Sequence, residues 1–186
     1  MYCEKWIYCT IVIYYKLNIV YLGGEIKVIK QIIKSDLVSC LEVFHLGYET
    51  VAIEFGLTEE NCPDRGRANL PFDKLVSEFE NGTLMFGYFL EDKIVGFVSI
   101  KIDNNGVCKL NDIIILPEYR QKGYGKELLD FCIIKALELG ADRITLGMID
   151  DNQKLKNWYV KNGFINIGFK KFEKAPFMVG YMERSL

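Results

Sequence analysis

The chain has 186 residues, of which half are hydrophobic and 26% are charged. This length suits one domain, and the composition supports a buried core and argues against disorder. The formal net charge is only -2, which argues against a protein that binds nucleic acid by neutralising phosphates, because such proteins carry a strong basic excess.

The cysteines and the histidine also exclude several kinds of site. The chain has six cysteines, none of which forms a C-x-x-C pair, and His45 is its one histidine. A zinc site is therefore not expected, nor is catalysis that pairs a histidine with serine or cysteine. Scattered cysteines are typical of a reduced, cytoplasmic protein, and we expect no metal.

Residues 1–24 differ from the rest of the chain. The segment from Trp6 to Tyr15 is almost wholly apolar, but Lys16 and Asn18 interrupt the run before Leu22. The run falls short of the ~20 apolar residues that cross a membrane. We expect a variable N-terminal extension or an extra strand here. A translation start upstream of the native one and a membrane-directed segment remain the alternatives. Residues 25–186 are expected to form a single domain.

Alternating and helical patterns then follow in chain order. Residues 26–33 alternate as a strand does, and Asp36 stands where a helix N-cap is expected, before apolar residues at helical spacing up to Tyr48. Residues 51–55 are predicted as a second helix. Pro71 and Gly82 mark the start and the end of the next helix.

The second half of the chain alternates strands with helices. Strands are predicted at residues 84–90, 94–102, 107–116, 143–149, 164–172 and 177–183. Helices are predicted at residues 123–139 and 152–162. The last strand, rich in apolar residues, is expected either in the interior of the sheet or paired across a dimer. This order indicates an α/β domain with a mixed sheet.

The loop between the third of these strands and its helix carries the clearest chemical signal. It reads R-x-x-G-x-G from Arg120 to Gly125. Two glycines let the backbone turn sharply and approach a ligand, and the helix that starts there presents free N–H groups to an anion such as pyrophosphate. Lys122 and Lys126 add positive charge.

Two other phosphate-binding motifs fit this loop poorly. A Walker A loop fails because Arg120 stands where its first glycine belongs and Glu127 where its Ser or Thr belongs. A dinucleotide motif fails because Leu128 stands at its last small position. A plain strand-to-helix turn remains the other interpretation.

Two blocks resemble the GNAT superfamily of acetyl-CoA-dependent N-acetyltransferases. Residues 112–129 read DIIILPEYRQKGYGKELL, and residues 152–164 read NQKLKNWYVKNGF. In the second block Leu155 stands where alanine is usual and Trp158 where leucine is usual. The resemblance covers about residues 84–186. It implies an α/β (α+β) fold of three layers, in which a central mixed, mostly antiparallel sheet is flanked by helices.

The resemblance also implies a coenzyme A site. The amides from Gln121 to Lys126 would hold the pyrophosphate, and the strand from Ile113 to Ile115 would pair with the pantetheine arm. A backbone amide near Ile113 would bind the thioester carbonyl, and Asn152 would hydrogen-bond the cofactor. The implied cofactor-binding residues are Ile113, Ile114, Ile115, Arg120, Gln121, Lys122, Gly123, Tyr124, Gly125, Lys126 and Asn152.

Two residues are implied as catalytic. Tyr159 would lie beside the sulfur and donate a hydrogen bond as charge builds there, since a phenol is a weaker acid than the leaving thiol. Asp112 is the best candidate for the base, although a structural, hydrogen-bonded role is equally expected. Glu49, Glu54 and a water relay are weaker alternatives, and His45 is expected to be structural.

The implied reaction is transfer of acetyl from acetyl-CoA to a primary amine by direct attack. The acceptor is expected to be the amine of a small molecule or a peptide. We expect the protein to bind neither nucleic acid nor a membrane, and it could form a homodimer. A catalytically weak domain that binds acetyl-CoA as a sensor or partner module is the alternative from another class. A nucleotide-binding regulator is disfavoured by the failed phosphate motifs.

Overall fold

A computed structural model describes residues 19–22 and 25–186. Its strands form one sheet with the order β1-β2-β3-β4-β5-β6-β8-β7. The strands are β1 Ile19–Leu22, β2 Glu25–Gln31, β3 Leu84–Leu90, β4 Lys93–Ile102, β5 Val107–Ile115, β6 Arg143–Ile149, β7 Ile165–Lys171 and β8 Met178–Ser185. All neighbours are antiparallel except β5 and β6, so the predicted mixed, mostly antiparallel sheet is confirmed.

Helices cover both faces of this sheet. They are α1 Leu37–Glu54, α2 Phe72–Glu80, α3 Tyr124–Glu138 and α4 Gln153–Lys161. One core lies between the sheet and α1 and α2, and it contains Phe44, Phe97 and Leu75. The other lies under α3 and contains Leu128 and Leu129. The predicted three-layer arrangement is therefore confirmed.

Two local predictions near α1 were wrong. Residues 51–55 do not form a second helix, because α1 continues without a break from Leu37 to Glu54. The carboxylate of Asp36 does not cap α1 but accepts a hydrogen bond from the Ile33 amide at 3.0 Å. It thereby closes the turn between β2 and the helix.

The predictions for the two ends of the chain can be compared only in part. Within residues 1–24, Ile19–Leu22 forms β1 and pairs with β2, while residues 1–18, 23 and 24 lie outside the described residues. The domain boundary at residue 25 stays a prediction. At the other end, β8 lies inside the sheet, between β6 and β7. No helix in the described ranges has the length and apolar character needed to cross a membrane.

The parallel pair of strands separates after four residues. Val107 to Leu110 of β5 pair with Arg143 to Leu146 of β6. Beyond that point β5 stays paired with β4 as far as Ile115, and β6 stays paired with β8 as far as Ile149. The two strands thus leave an opening between them, and one edge of β5 faces it without a partner strand.

A β-bulge lies where the strands separate. Ser99 of β4 is opposite Asp112, but the next residue of β4, Ile100, is opposite Leu110, so Asn111 is the extra residue. Such a bulge bends the strand and changes which face its side chains take. Leu110 accordingly belongs to the core under α3, whereas Asp112 contacts Tyr48 of α1 on the opposite face.

Close packing of α1 on β5 makes Gly47 sensitive to substitution. A Cβ atom placed there would clash with Cγ2 of Ile114. We expect Gly47→Ala to lower the free energy of unfolding, because overpacking costs about 1–3 kcal/mol and outweighs the ~1 kcal/mol that alanine gains in a helix. The melting temperature should fall by several degrees. Glu42→Ala, on the exposed side of α1, is the control, and equal melting temperatures for the two variants would contradict this packing.

Candidate active site

The loop before α3 presents a row of free backbone amides. It turns sharply, with left-handed φ angles of 62° at Gln121 and 90° at Gly123. In the part of the chain that the structure describes, the amides from Gln121 to Gly125 donate to no carbonyl or side chain. Free amides at the positive end of the α3 dipole are able to bind an anion.

Amides on either side of this row are already used. The Arg120 amide donates to Pro117 at 3.2 Å, and the Lys126 amide donates to the Gly123 carbonyl at 2.9 Å. The row of free amides is thus one residue shorter than the predicted range from Gln121 to Lys126. The side chain of Lys126 pairs with Asp130 one turn along α3.

The two glycines of the loop serve different purposes. Gly123 has a φ angle of 90°, which an L side chain rarely adopts. At Gly125 the φ angle is ordinary, and an added Cβ would meet Ile115 and Trp158 only at 3.8 and 3.9 Å, which are ordinary contacts. Protein packing therefore does not require glycine at 125. Its small size leaves room for a ligand to approach.

Arg120 holds the loop in place. Its guanidinium donates to the Ile115 carbonyl at 3.0 Å, to Thr50 Oγ1 at 2.9 Å and to the Gly47 carbonyl at 3.0 Å. These contacts tie the loop to β5 and to α1. The Arg120 amide and three of the five guanidinium N–H groups thus have protein partners. Arg120 anchors the loop, and its predicted role in cofactor binding stays a prediction.

Side chains of the other predicted loop residues also lie against the protein. The Tyr124 ring is buried and stacks on Tyr88 with centroids 4.8 Å apart. The Lys122 ammonium lies 5.1 Å from the centroid of the Tyr119 ring. Binding of an anion here rests on backbone amides more than on side-chain charge.

The open edge of β5 lies just before this loop. The Leu116 amide donates to Val95 of β4, so by alternation Ile114 also faces β4, while Ile113 and Ile115 direct their amides toward the opening. The Ile115 carbonyl accepts from Arg120. Both amides and the Ile113 carbonyl remain for an extended ligand that lies along β5, whereas the backbone groups of Ile114 face β4. Cofactor binding by Ile113, Ile114 and Ile115 stays a prediction.

Asp112 is the buried charge of the site. Its side chain is 1% exposed. Oδ1 accepts a hydrogen bond from the Tyr48 hydroxyl at 2.8 Å, and Oδ2 accepts one from Ser99 Oγ at 2.7 Å. Burial raises the pKa of Asp112, and Arg67, Ser99 and Tyr48 offset part of that rise. The carboxylate is on the face of the sheet that α1 covers and is out of direct reach of solvent.

Arg67 supplies the nearest positive charge. Its Nε lies 2.8 Å from Asp112 Oδ1, although the N–H does not point at that oxygen, so the contact is one of charge rather than a hydrogen bond. Both terminal nitrogens donate to the carboxylate of Glu78 in α2, at 3.1 and 2.9 Å. Arg67 has a left-handed φ of 81° between α1 and α2, and it ties their loop to the sheet.

Sequence reasoning missed Tyr48, Ser99 and Arg67. Tyr48 and Ser99 fit the apolar patterns of their elements, and Arg67 lies in a loop that matches no motif. The one available signal was Asp112 itself, because a carboxylate inside a buried strand needs donors. Nothing in the sequence said which residues supply them.

Tyr159 is buried on the other side of the opening. The residue is 4% exposed, and its ring packs edge-on against Trp158 and Phe164 at centroid distances of 4.9 and 5.3 Å. Burial raises the pKa of Tyr159, and Cys132 and Asp112 add to the rise. The phenol therefore stays protonated and able to donate.

Asn152 caps α4. Its Oδ1 accepts from the Leu155 amide at 3.0 Å, so only its side-chain amide is left for a cofactor. Two further residues considered in the sequence analysis, His45 and Glu49, have protein partners. His45 Nε2 is 2.9 Å from the Leu70 carbonyl, and Glu49 pairs with Arg65. Glu54 is exposed at the end of α1.

Residues 50–164, more than half of the chain, match the model of the Acetyltransferase (GNAT) family. The chain belongs to this family. The matched segment contains the free amides, the open edge of β5, Asp112 and Tyr159, so the resemblance seen in the sequence is confirmed.

Two characterised relatives and one solved structure illustrate the match. Streptothricin acetyltransferase A of Bacillus subtilis is 31% identical over 46% of this chain and 50% of that protein. The tRNA(Met) cytidine acetyltransferase TmcA 2 of Saccharolobus solfataricus is 34% identical over 55% of this chain and 14% of that protein. The chain thus spans half or less of these relatives.

The solved structure covers more of the chain. The PaiA N-acetyltransferase of Thermoplasma acidophilum, crystallised with coenzyme A, shares 22% identity and superposes with a TM-score of 0.66. The superposition covers 86% of this chain and 99% of that one. At 22% identity, this similarity is evidence for the fold alone.

Removing the charge of Arg67 should show how strongly the buried carboxylate of Asp112 destabilises the fold when it has no cationic neighbour. We expect Arg67→Gln to lower the free energy of unfolding by roughly 3 kcal/mol near neutral pH, because Asp112 loses its cationic neighbour. The loss further raises the folded-state pKa of Asp112. A carboxyl whose pKa is higher in the folded state binds more protons there, so the deficit should shrink as the pH falls.

Urea unfolding at about pH 8 and about pH 5.5 measures both effects. Arg65→Gln is the matched control, since Arg65 lies in the same loop but pairs with the more exposed Glu49. It should cost less than about 1 kcal/mol, with little pH dependence. A deficit for Arg67→Gln that is equal at both pH values would mean that Asp112 does not change its protonation between them, and it would contradict the expected rise in its pKa.

Proposed function

We propose that the chain is an N-acetyltransferase that transfers acetyl from acetyl-CoA to a primary amine by direct attack. The observation that carries the proposal is the adjacency of two backbone features. The open edge of β5 leads directly into the row of free amides before α3. An extended ligand that ends in a pyrophosphate fits both, and coenzyme A is such a ligand.

Each part of the site has a role in binding. The amides from Gln121 to Gly125 would hold the pyrophosphate, since successive N–H groups at a helix N-terminus bind phosphates. Ile113 and Ile115 would pair with the pantetheine arm as a neighbouring strand does. The amide of Asn152 would add a contact from the start of α4.

Acetyl-CoA supplies the acetyl thioester that is attacked and the thiol that leaves. The Ile113 amide would stabilise the oxyanion that forms on the carbonyl, a contribution of about 2.7–4 kcal/mol in related acyl transfers. Tyr159 would donate to the sulfur as charge builds there. Its raised pKa makes complete proton transfer unfavourable, so its role is that of a hydrogen-bond donor.

The amine must lose a proton to react. A lysine-type amine has a pKa of ~10.4, so it is protonated at neutral pH. Asp112 is the proposed base, because burial gives it a pKa closer to the working pH than that of an ordinary carboxylate. The acceptor is proposed to be a small-molecule or peptide amine.

A thiol-release assay tests the function. Spermidine, glucosamine and an alanine-terminated peptide represent three classes of amine, and acetyl-CoA without an amine is the blank. Amine-dependent release of thiol, with acetylated amine detected by mass spectrometry, is expected. Tight acetyl-CoA binding with no turnover on any amine would instead support the sensor or partner module.

Substitutions at Gly125 test the pyrophosphate site. We expect Gly125→Val to weaken coenzyme A binding by about tenfold or more, because a branched side chain displaces the phosphate from the amides. Gly125→Ala adds one carbon in ordinary contact and should bind within a few-fold of the parent. Calorimetry with coenzyme A gives the affinities, and thermal unfolding confirms the fold. Unchanged affinity in the valine variant would remove this assignment.

Tyr159→Phe tests the donor at sulfur. The ring keeps its packing against Trp158 and Phe164, so only the hydroxyl is lost. We expect kcat to fall by roughly 10²–10⁴, the usual range for acid–base assistance, while coenzyme A affinity changes little. Steady-state thiol release over a pH series is the measurement. A variant that stays within threefold of the parent at every pH would disprove the role of Tyr159.

A further inference from the structure

We propose that Tyr48 is a catalytic residue that passes the proton of the acceptor amine to Asp112. The inference rests on the proposed N-acetyltransferase function and deepens it. It addresses a difficulty in that function, because the carboxylate of Asp112 is enclosed by protein and a bound amine has no direct access to it.

The hydrogen bonds of Asp112 leave one path by which a proton can reach its carboxylate. Only the hydroxyls of Tyr48 and Ser99 donate to its oxygens in the described part of the chain. Ser99 is 1% exposed, so a ligand cannot contact its hydroxyl. Tyr48 is half-buried. Among the described residues, Tyr48 is therefore the one that both donates a hydrogen bond to Asp112 and is partly exposed.

Tyr48 also lies at the opening between β5 and β6. It packs against the cluster of Ala52 and Leu57, to which Ile149 at the end of β6 also belongs. Its hydroxyl is bonded to the residue that precedes Ile113, whose amide faces the opening. Across the opening, Tyr159 is close enough to raise the pKa of Tyr48, after the larger effects of burial and Asp112.

The charges of the cluster favour uptake of one proton. Arg67 forms two hydrogen bonds with Glu78 and directs none at Asp112. One cation thus faces two carboxylates, and Glu78 adds to the raised pKa of Asp112. A proton on Asp112 leaves the Arg67–Glu78 pair balanced, so the cluster tolerates the protonated state.

The transfer balances in atoms and electrons. An acceptor that arrives as an ammonium first loses one proton to solvent, and the lone pair of the neutral amine then forms the N–C bond to the thioester carbonyl. The N–H bond then breaks, its electron pair stays on nitrogen, and its proton passes to Tyr48 Oη. In the same step the Tyr48 O–H proton passes to Asp112 Oδ1, so Tyr48 remains neutral. The C–S bond later breaks with its electron pair on sulfur. Reverse transfer through Tyr48 returns the proton from Asp112 to water.

The test uses the full chain, acetyl-CoA and whichever probe amine the parent protein acetylates best. We expect Tyr48→Phe to lower kcat by about 10² or more, with acetyl-CoA affinity close to that of the parent. The melting temperature should fall by a few degrees, because the buried Asp112 loses one hydrogen-bond donor. The acidic limb of the kcat profile, which reports Asp112, should disappear in Tyr48→Phe and in Asp112→Asn. The double variant should be no slower than Asp112→Asn alone, because both changes interrupt one path.

Tyr119→Phe is the matched control. It removes a phenol that takes no part in the Asp112 cluster, and it should keep the parent profile. If the parent turns over but Tyr48→Phe stays within threefold of it with the acidic limb intact, the relay is wrong and the function stands. If the parent acetylates none of the probe amines, the function fails and the relay fails with it.

A second measurement does not depend on a folded variant. The relay moves two protons in one step. The kcat of the parent should therefore decrease nonlinearly with the fraction of D₂O in the solvent. A linear dependence would mean that a single proton moves, and it would overturn the relay. Should Tyr48→Phe unfold, this measurement decides alone.

Discussion

The early separation of β5 from β6 is the constraint on which the rest of this site depends. The two strands pair for four residues and then each continues with its other neighbour. Backbone groups that would have bonded across the sheet are left free at Ile113 and Ile115. A buried edge of this kind needs a partner, and an extended ligand is one. The bulge at Asn111 marks the same point, since it bends β5 at the end of the parallel pairing.

The loop that follows continues this arrangement. Arg120 ties it to β5 and α1 through three hydrogen bonds, and the amides from Gln121 to Gly125 are held free in consequence. Binding of an anion there would rely on backbone amides, in a loop that the Arg120 side chain holds in place. The family assignment and these backbone groups support the same co-substrate.

A second constraint comes from the buried charge of Asp112. A carboxylate inside a sheet is unstable unless donors and a cation surround it. Tyr48, Ser99 and Arg67 come from a helix, a strand and a loop, so the charge holds three elements together. Arg67 carries this constraint on to Glu78 of α2, and the loop between the first two helices is thereby fixed beside the opening. The same contacts that stabilise the carboxylate give it a single exit through Tyr48.

The sequence by itself determined most of the elements and the family. Turn residues and periodic apolar positions are local signals, so the strands and helices from residue 84 onward agree with their predicted ranges to within a residue or two. The loop motif and the Asn152 block are local as well, and they identified the family correctly. Only the tertiary structure decided what Asp112 and Arg120 contact, because their partners Tyr48, Arg67 and Gly47 lie tens of residues away along the chain. It also decided the face of Asp112. Strict alternation along β5 places it with Leu110, and the bulge, which arises from pairing with β4, turns it to the opposite side.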